Sequence, residues 1–296
     1  MAYMKPFNST NPEHLEWARR LPFSHSTCLP YLDYFGNVFT RHGSEPIFVW
    51  QHEDYVHTIP SIVLPKLKRN WENAAIAFAT QEDLQKIRAE GIPILREEFV
   101  GTEYFYKTQT FLEPDGKLAK KIRKFVRDYP TVQIVHTLDP KAVKAFYQTW
   151  KNQQRKPSES KAEVMTERFD DVRDAVFDED HEFFHYCLDH LDRYQIKQVY
   201  ALLDGKPVGM AWGVEHSPGK WIGLHLKADY QVTGLSRFLQ HERAKLFAHC
   251  DEVSLSTGCG KAGLDAFKQE LGPAYTKEYW YVVTGERQKP TPPKTA

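Results

Sequence analysis

The stretch LHLKADYQVTGLS, residues 224–236, holds the residue types best suited to chemistry in this chain. It reads as a strand that runs into a turn and then a helix. Gln231, Val232, Thr233, Gly234, Leu235 and Ser236 fall where the strand gives way to the helix. Backbone N–H groups at a helix N-terminus converge on one point, and the helix dipole favours an anion there. Gly234 has no Cβ, so the main chain can approach another group closely. Such a turn suits a diphosphate, and the edge of the strand at Leu224 and Leu226 can hydrogen-bond an extended chain that carries amides. His225 lies on the same strand and carries an imidazole that titrates near neutral pH, the property required of a general base. The plain alternative is a glycine turn capping a strand–helix join, with His225 one of thirteen histidines.

Other candidates stand elsewhere. Glu215 and His216 end the preceding strand and are alternative bases, or simply an exposed hairpin end. Ser254 and Ser256 share one face of a short strand by alternation, and Ser256 or Cys259 could protonate a leaving thiolate. HEFFH, residues 181–185, is a literal H-E-x-x-H, which on a helix sets two histidines one turn apart for zinc. His190 follows too soon and without a glycine turn to complete the extended zinc pattern, while Phe184, Leu188 and Leu191 give that helix a face to bury. No metal is expected.

The elements that must hold these residues follow from periodicity. Short strands and turns fill the first third, including PIFVW (46–50) and YVHTIPSIVL (55–64). Thr80 with Asp83 makes a capping box. Leu118, Ile122, Phe125 and Tyr129 recur at helical spacing in GKLAKKIRKFVRDY, and Lys117, Lys120, Lys121 and Lys124 fall on another face. Pro130 stops that helix. Then come the strand TVQIVHTL, a helix opened by Asp139 and Pro140, a polar loop at 156–163, and an acidic helical region from about 170 to 194. Strands QVYALLD, PVGMAWGVEH and WIGLHLKAD follow, with Asp204-Gly205 as a hairpin turn. A helix, the strand DEVSLST, the helix KAGLDAFKQELG and the strand KEYWYVV complete the pattern. The tail, residues 287–296, lacks apolar anchors and is expected to be disordered.

Three antiparallel strands, then strand–turn–helix, strand, helix and strand, resemble the order of a GNAT acyltransferase domain. Gln231 and Gly234 match that family's (Arg or Gln)-x-x-Gly-x-(Gly or Ala) turn, with Ser236 at the last small position. A wider resemblance spans about residues 100–283, through EYFYKT, the basic helix, FYQTW, DGKPVGMAWG and KAGLDAFKQELGP. These segments are similar to the C-terminal domain family of bacterial phosphatidylglycerol lysyltransferases, which are tandem GNAT folds. The resemblance implies an α/β fold with a mixed sheet, an N-terminal GNAT-like domain over 1–130, and a C-terminal GNAT domain over 131–286 that carries the donor loop. The family's two acidic positions fall on Ser256 and Gly258, while Lys268 and Pro273 match. Lys268 also stands where many GNAT enzymes place an acidic tyrosine. The loss of both carboxylates, at Ser256 and Gly258, points away from lipid lysylation and toward a different donor and acceptor.

The expected function is N-acyl transfer from an acyl-CoA or acyl-carrier-protein thioester to an amine, such as a Lys or Orn side chain of a peptide. Aminoacyl transfer from tRNA to a lipid or peptide is the alternative that the resemblance implies, and a non-catalytic GNAT-like binding module is the third. Six cations between Lys117 and Arg127 would suit tRNA, an acyl carrier protein or an acidic peptide, or form a solvated face. Lys+Arg and Asp+Glu both count 39, so net charge points to no anionic partner. The four cysteines form no C-x-x-C pair, which suits a reducing compartment. The N-terminus lacks the apolar run of a signal peptide and no stretch could span a bilayer, so a cytoplasmic protein is expected.

Overall fold

A computed structural model describes residues 2–41, 47–52, 55–58, 74–154, 180–258 and 262–285. The polar loop at 156–163, the beginning of the acidic helical region, Cys259 and the C-terminal tail lie outside the described residues. Two compact units form, one from residues 1–104 with 256–296 and the other from 105–255. Compactness thus groups the residues otherwise than the repeat read from sequence, which turns over near residue 130.

The first unit holds strands β1 (Ala2–Pro6), β2 (Gly36–Arg41), β3 (Ile47–His52), β4 (Tyr55–Thr58), β5 (Ala74–Ala79) and β12 (Tyr275–Thr284), side by side in that order. Their pairings are antiparallel except the parallel step from β4 to β5. Helices α1 (Pro12–Ala18), α2 (Leu29–Phe35), α3 (Gln81–Ala89) and α9 (Ala262–Glu270) belong to it, and β6 (Ile94–Lys107) begins in it. The α3 start is as expected: Asp83 N–H donates to Thr80 while the Asp83 carboxylate accepts from the Thr80 N–H, satisfying two otherwise orphaned donors.

In the second unit the strand order is β11 (Glu252–Thr257), β10 (Lys220–Ala228), β9 (Lys206–Ser217), β8 (Lys197–Leu203), β7 (Gln133–Val135). The β7–β8, β8–β9 and β9–β10 pairings are antiparallel, and β10 runs parallel to β11. Asp204 (φ 50°) and Gly205 (φ 74°) turn the β8–β9 hairpin, both left-handed as a type I′ turn requires. Its helices are α4 (Gln109–Leu112), α5 (Gly116–Asp128), α6 (Pro140–Gln154), a helical run α7 over residues 180–189, and α8 (Leu235–Lys245).

The apolar stripe on α5 explains where it goes. Ile122 and Phe125 are buried against Leu235, Phe238 and Leu239 of α8 and Val199 and Ala211 of the strands, with Leu118 and Tyr129 at the margin. Phe125 stacks on Phe238 with ring centroids 4.6 Å apart. The lysines and arginines of α5 are left exposed, as the helical period demands.

Candidate functional site

Strand β10 carries the irregularity on which the site depends. It pairs with β11 only over Lys220–Ile222, so from Gly223 onward that edge has no β11 partner. Along the other edge the register slips. Gly223 faces Gly213 and Leu226 faces Ala211, so β10 spends one residue more than β9 over Leu224 and His225. This is a β-bulge, a feature that re-aims side chains and frees backbone groups. Arg243 of α8 satisfies the freed carbonyls: its Nη1 donates to Trp212 O at 2.8 Å and His225 O at 3.4 Å, and it also holds Gln240. Burial lowers the Arg243 pKa to about 9, which still leaves it charged at neutral pH.

Beyond the bulge, β10 leads into the loop of residues 229–234. Three loop amides serve the loop itself: Gln231 N–H donates to the Asp229 carboxylate at 2.9 Å, Val232 N–H to Asp229 O and Leu235 N–H to Val232 O. The N–H groups of Thr233, Gly234 and Ser236 have no acceptor among the described residues. Gly234 is the N-cap of α8 with φ 92°, a left-handed conformation that favours glycine. Its close approach is to α5: a Cβ there would lie 3.4 Å from Phe125 Cβ and 3.9 Å from Lys121 O. The glycine therefore seats the basic helix beside the open amides, a packing reason beyond the one read from sequence.

His225 is 2 % exposed, and neither ring nitrogen has a hydrogen-bond partner among the described residues. It is surrounded by Phe183, Phe184 and Trp212, with Asp180 Oδ1 3.6 Å from Nδ1. Desolvation lowers its pKa to about 4 and outweighs Asp180, which alone would raise it; Lys227 and Arg243 lower it further. Lys227, two residues along the same face, bonds Asp180 at 2.7 Å and lies 4.3 Å from the Trp150 ring centre. Buried His225 and Lys227 thus share the half-exposed carboxylate of Asp180. Lys227 was within reach of strand alternation; Asp180 and Arg243 gave no signal in sequence, since both read as ordinary helix charges.

Gln153 of α6 bonds Asp229 at 3.1 Å, so one carboxylate ties this helix to the loop. Between them lies a cleft of about 270 Å³, lined by Phe146, Trp150, Gln153, Pro207 and Asp229. Gln153 Oε1 is buried there without a hydrogen-bond partner among the described residues.

The structure does not gather all the expected residues. Glu215 pairs with Trp221, seven residues before the end of β10 at Ala228, hence about 23 Å of strand from the loop. It bonds His249 at 2.6 Å and Lys197 at 3.4 Å. Partial burial works to raise its pKa, but those two bonds prevail and hold the carboxyl below its usual range. His216 lies beside it, with Nδ1 3.3 Å from Ser217 Oγ. Ser256 belongs to the first unit and has φ 64°. In H-E-x-x-H, the His181 and His185 rings lie 4.6 Å apart, but no third metal-ligating side chain joins them among the described residues. Phe184 and Leu188 are buried, as the apolar face predicts, and so is Phe183, while Leu191 falls in the turn after the helix and is half-buried.

Within the first unit, the vacated acidic position has a replacement. A Cβ on Gly258 would lie 1.9 Å from Asp265 Oδ1, so the Asp265 carboxylate fills the space that a side chain at 258 would take. Tyr104 Oη donates to Asp265 at 3.0 Å, and burial with this carboxylate raises the Tyr104 pKa to about 12. Lys268 Nζ donates to Thr257 O. Gly258→Ala should cost about 1–2 kcal/mol by evicting Asp265 from Tyr104. Chemical denaturation of the two single variants and of Gly258→Ala/Asp265→Ala checks this, the double variant losing less than the sum.

The bulged strand, the loop and the helix that follows it define a class: this is a mixed α/β chain of the GNAT fold. Over 97% of this chain and 100% of the other, it resembles a conserved protein of unknown function from Bacteroides thetaiotaomicron, with TM-score 0.73 and 12% identity. L-PGS of Bacillus licheniformis is similar over 95% of this chain and 94% of its own, with TM-score 0.59 and 12% identity. A tandem GNAT protein from the clavulanic acid biosynthesis pathway is similar over 98% and 100%, with TM-score 0.51 and 9% identity. No protein-family model and no curated protein matches the sequence. Among the described residues, no helix is long and apolar enough to cross a membrane.

Proposed function

We propose that the second unit is an N-acyltransferase that moves an acyl group from a CoA or acyl-carrier-protein thioester to an amine. One observation carries the reading: the edge of β10 beyond its pairing with β11 runs directly into a loop with three amides that have no acceptor among the described residues, at a helix N-terminus. An extended pantetheine arm can pair with the strand edge, and its diphosphate can take the N–H groups of Thr233, Gly234 and Ser236. Helix α5, whose Phe125 and Lys121 main chain pack beside Gly234, carries exposed cations that suit the remaining phosphate charge.

In this reading the amine reaches the thioester from the α6 side, through the cleft beside Trp150 and Asp229. A carboxylate and an aromatic face are groups that attract an ammonium. The neutral amine attacks the thioester carbon, the C–S bond breaks, and the proton shed by the new amide nitrogen goes to the departing sulfur, which leaves as a thiol. The ammonium proton passes to His225, which is neutral at pH 7; with a pKa of about 4 the imidazole is a weak base, and Asp180 beside it is the group that would stabilise the cation formed. The reading assigns no step to Glu215 or Ser256.

The second reading, aminoacyl transfer from tRNA, is supported by α5, a helix packed against Gly234 whose exposed face is basic, and by the likeness to L-PGS. Thermal unfolding separates the two. Acyl-CoA at 100-fold over its dissociation constant should add about 2.7 kcal/mol of stability. Stabilisation by acyl-CoA or an acyl carrier protein with amine-dependent thiol release supports the first reading. A response confined to charged tRNA supports the second, and none at all leaves a GNAT-shaped binding module.

A further inference from the structure

Away from the loop, at the far end of β9, three side chains of different chemistry converge. The carboxylate of Glu215, the imidazole of His249 and the thiol of Cys250 each offer one atom, and these atoms lie within 4.8 Å of one another. We propose that they form a binding site for a zinc-like divalent metal ion, with a fourth position open to water. The combination of one oxygen, one nitrogen and one sulfur donor suits Zn²⁺ far better than a hard cation such as Mg²⁺ or Ca²⁺.

The backbone brings these ligands from two places and holds one of them firmly. Glu215 ends β9, whereas His249 and Cys250 are adjacent in the turn that leads from α8 into β11. Cys250 N–H donates to Phe247 O at 2.9 Å and Asp251 N–H to Gly219 O at 2.7 Å, which anchors that turn. Cys250 is 4% exposed, while Glu215 and His249 are exposed and can swing by the small amount needed to admit an ion. Glu215 and His249 already touch, at 2.6 Å, in the manner of a ligand pair.

Two further groups face the site. Lys197 Nζ lies 3.4 Å from Glu215 and also donates to Leu246 O at 3.0 Å, so it competes with a metal for the carboxylate. Asp251 is near enough to act on the Cys250 thiol. A cysteine ligates a metal as its thiolate. Binding therefore exchanges a proton for the ion: the S–H bond breaks, a metal–thiolate bond forms, and one proton goes to solvent. The product ties the end of β9 to the entry of β11.

Cobalt(II) is the probe, because a thiolate ligand gives it an intense near-ultraviolet charge-transfer band and four-coordination gives it strong visible bands. A stoichiometric addition to the full chain should produce both, with affinity rising as pH rises. Cys250→Ser should abolish the charge-transfer band, and His249→Gln and Glu215→Gln should each weaken binding by more than about tenfold. Lys197→Met should strengthen binding, a result that adventitious surface binding would not give. Zinc should compete the cobalt away and raise the melting temperature of the wild type but not of His249→Gln. Absence of the charge-transfer band, or its survival in Cys250→Ser, would overturn the proposal. None of these readouts depends on acyl transfer.

Discussion

Replacing His225 with phenylalanine should flatten the acid side of the stability curve while leaving stability at neutral pH intact. The imidazole is buried among Phe183, Phe184 and Trp212 with both nitrogens unpartnered among the described residues, so a ring of similar size forfeits no hydrogen bond there. Its folded pKa is about 4, depressed from 6.5 mainly by desolvation. Between those values the unfolded chain binds the proton and the folded chain does not, so stability falls as pH falls. The contribution is whole above pH 6.5 and is lost on passing down through about 4. At pH 4.5 the loss amounts to about 2.5 kcal/mol. Urea denaturation at pH 7.5 and pH 4.5 should therefore show a gap between the two conditions that shrinks by about that amount in His225→Phe. An unchanged gap would mean that the ring is solvated in solution. The same variant tests the catalytic proposal, because removing a general base should slow turnover by about 10²–10⁴-fold without loss of fold.

The second large effect belongs to the first unit. Glu103 is fully buried and accepts from Ser24 Oγ at 2.7 Å, His25 N–H at 2.8 Å and Tyr279 Oη at 2.8 Å. His25 Nδ1 is 3.2 Å away but not aligned for a hydrogen bond. Burial and the neighbouring carboxylate push the Tyr279 phenol upward, so it remains a donor at any ordinary pH. This one carboxylate joins the turn at Ser24–Thr27 to β6 and β12, and removing it strands three buried donors. At about 1–3 kcal/mol for each, Glu103→Ala should cost at least about 3 kcal/mol. Tyr279→Phe should cost less, and the double variant should lose less than the sum, because the two changes delete the same bond. Additive losses would show that the three contacts do not act together.

Much of the architecture was legible along the chain because its signals are local. The Thr80–Asp83 box, the Asp204-Gly205 hairpin and the apolar stripe of α5 each need only a few consecutive residues. The strand, loop and helix around Gln231 were legible for the same reason. One element read from sequence came out shorter: TVQIVHTL forms strand only over Gln133–Val135, whereas the helix opened by Pro140 runs on to Gln154.

What the sequence determined by itself was which residues are amphipathic, where turns fall, and that one loop has the composition of an anion cradle. Tertiary structure decided the electrical character of the candidates. The same residue type is buried and neutral at His225 but exposed and bonded to a carboxylate at His249, and neither spacing nor composition distinguishes them. Asp180 meets Lys227 across 47 positions, and Glu103 meets Tyr279 across 176. Asp265 fills the space over Gly258 only because a helix folds back onto the strand end. Desolvation and long-range pairing depend on what surrounds a group in space, and the order of residues leaves that undetermined until the chain has packed.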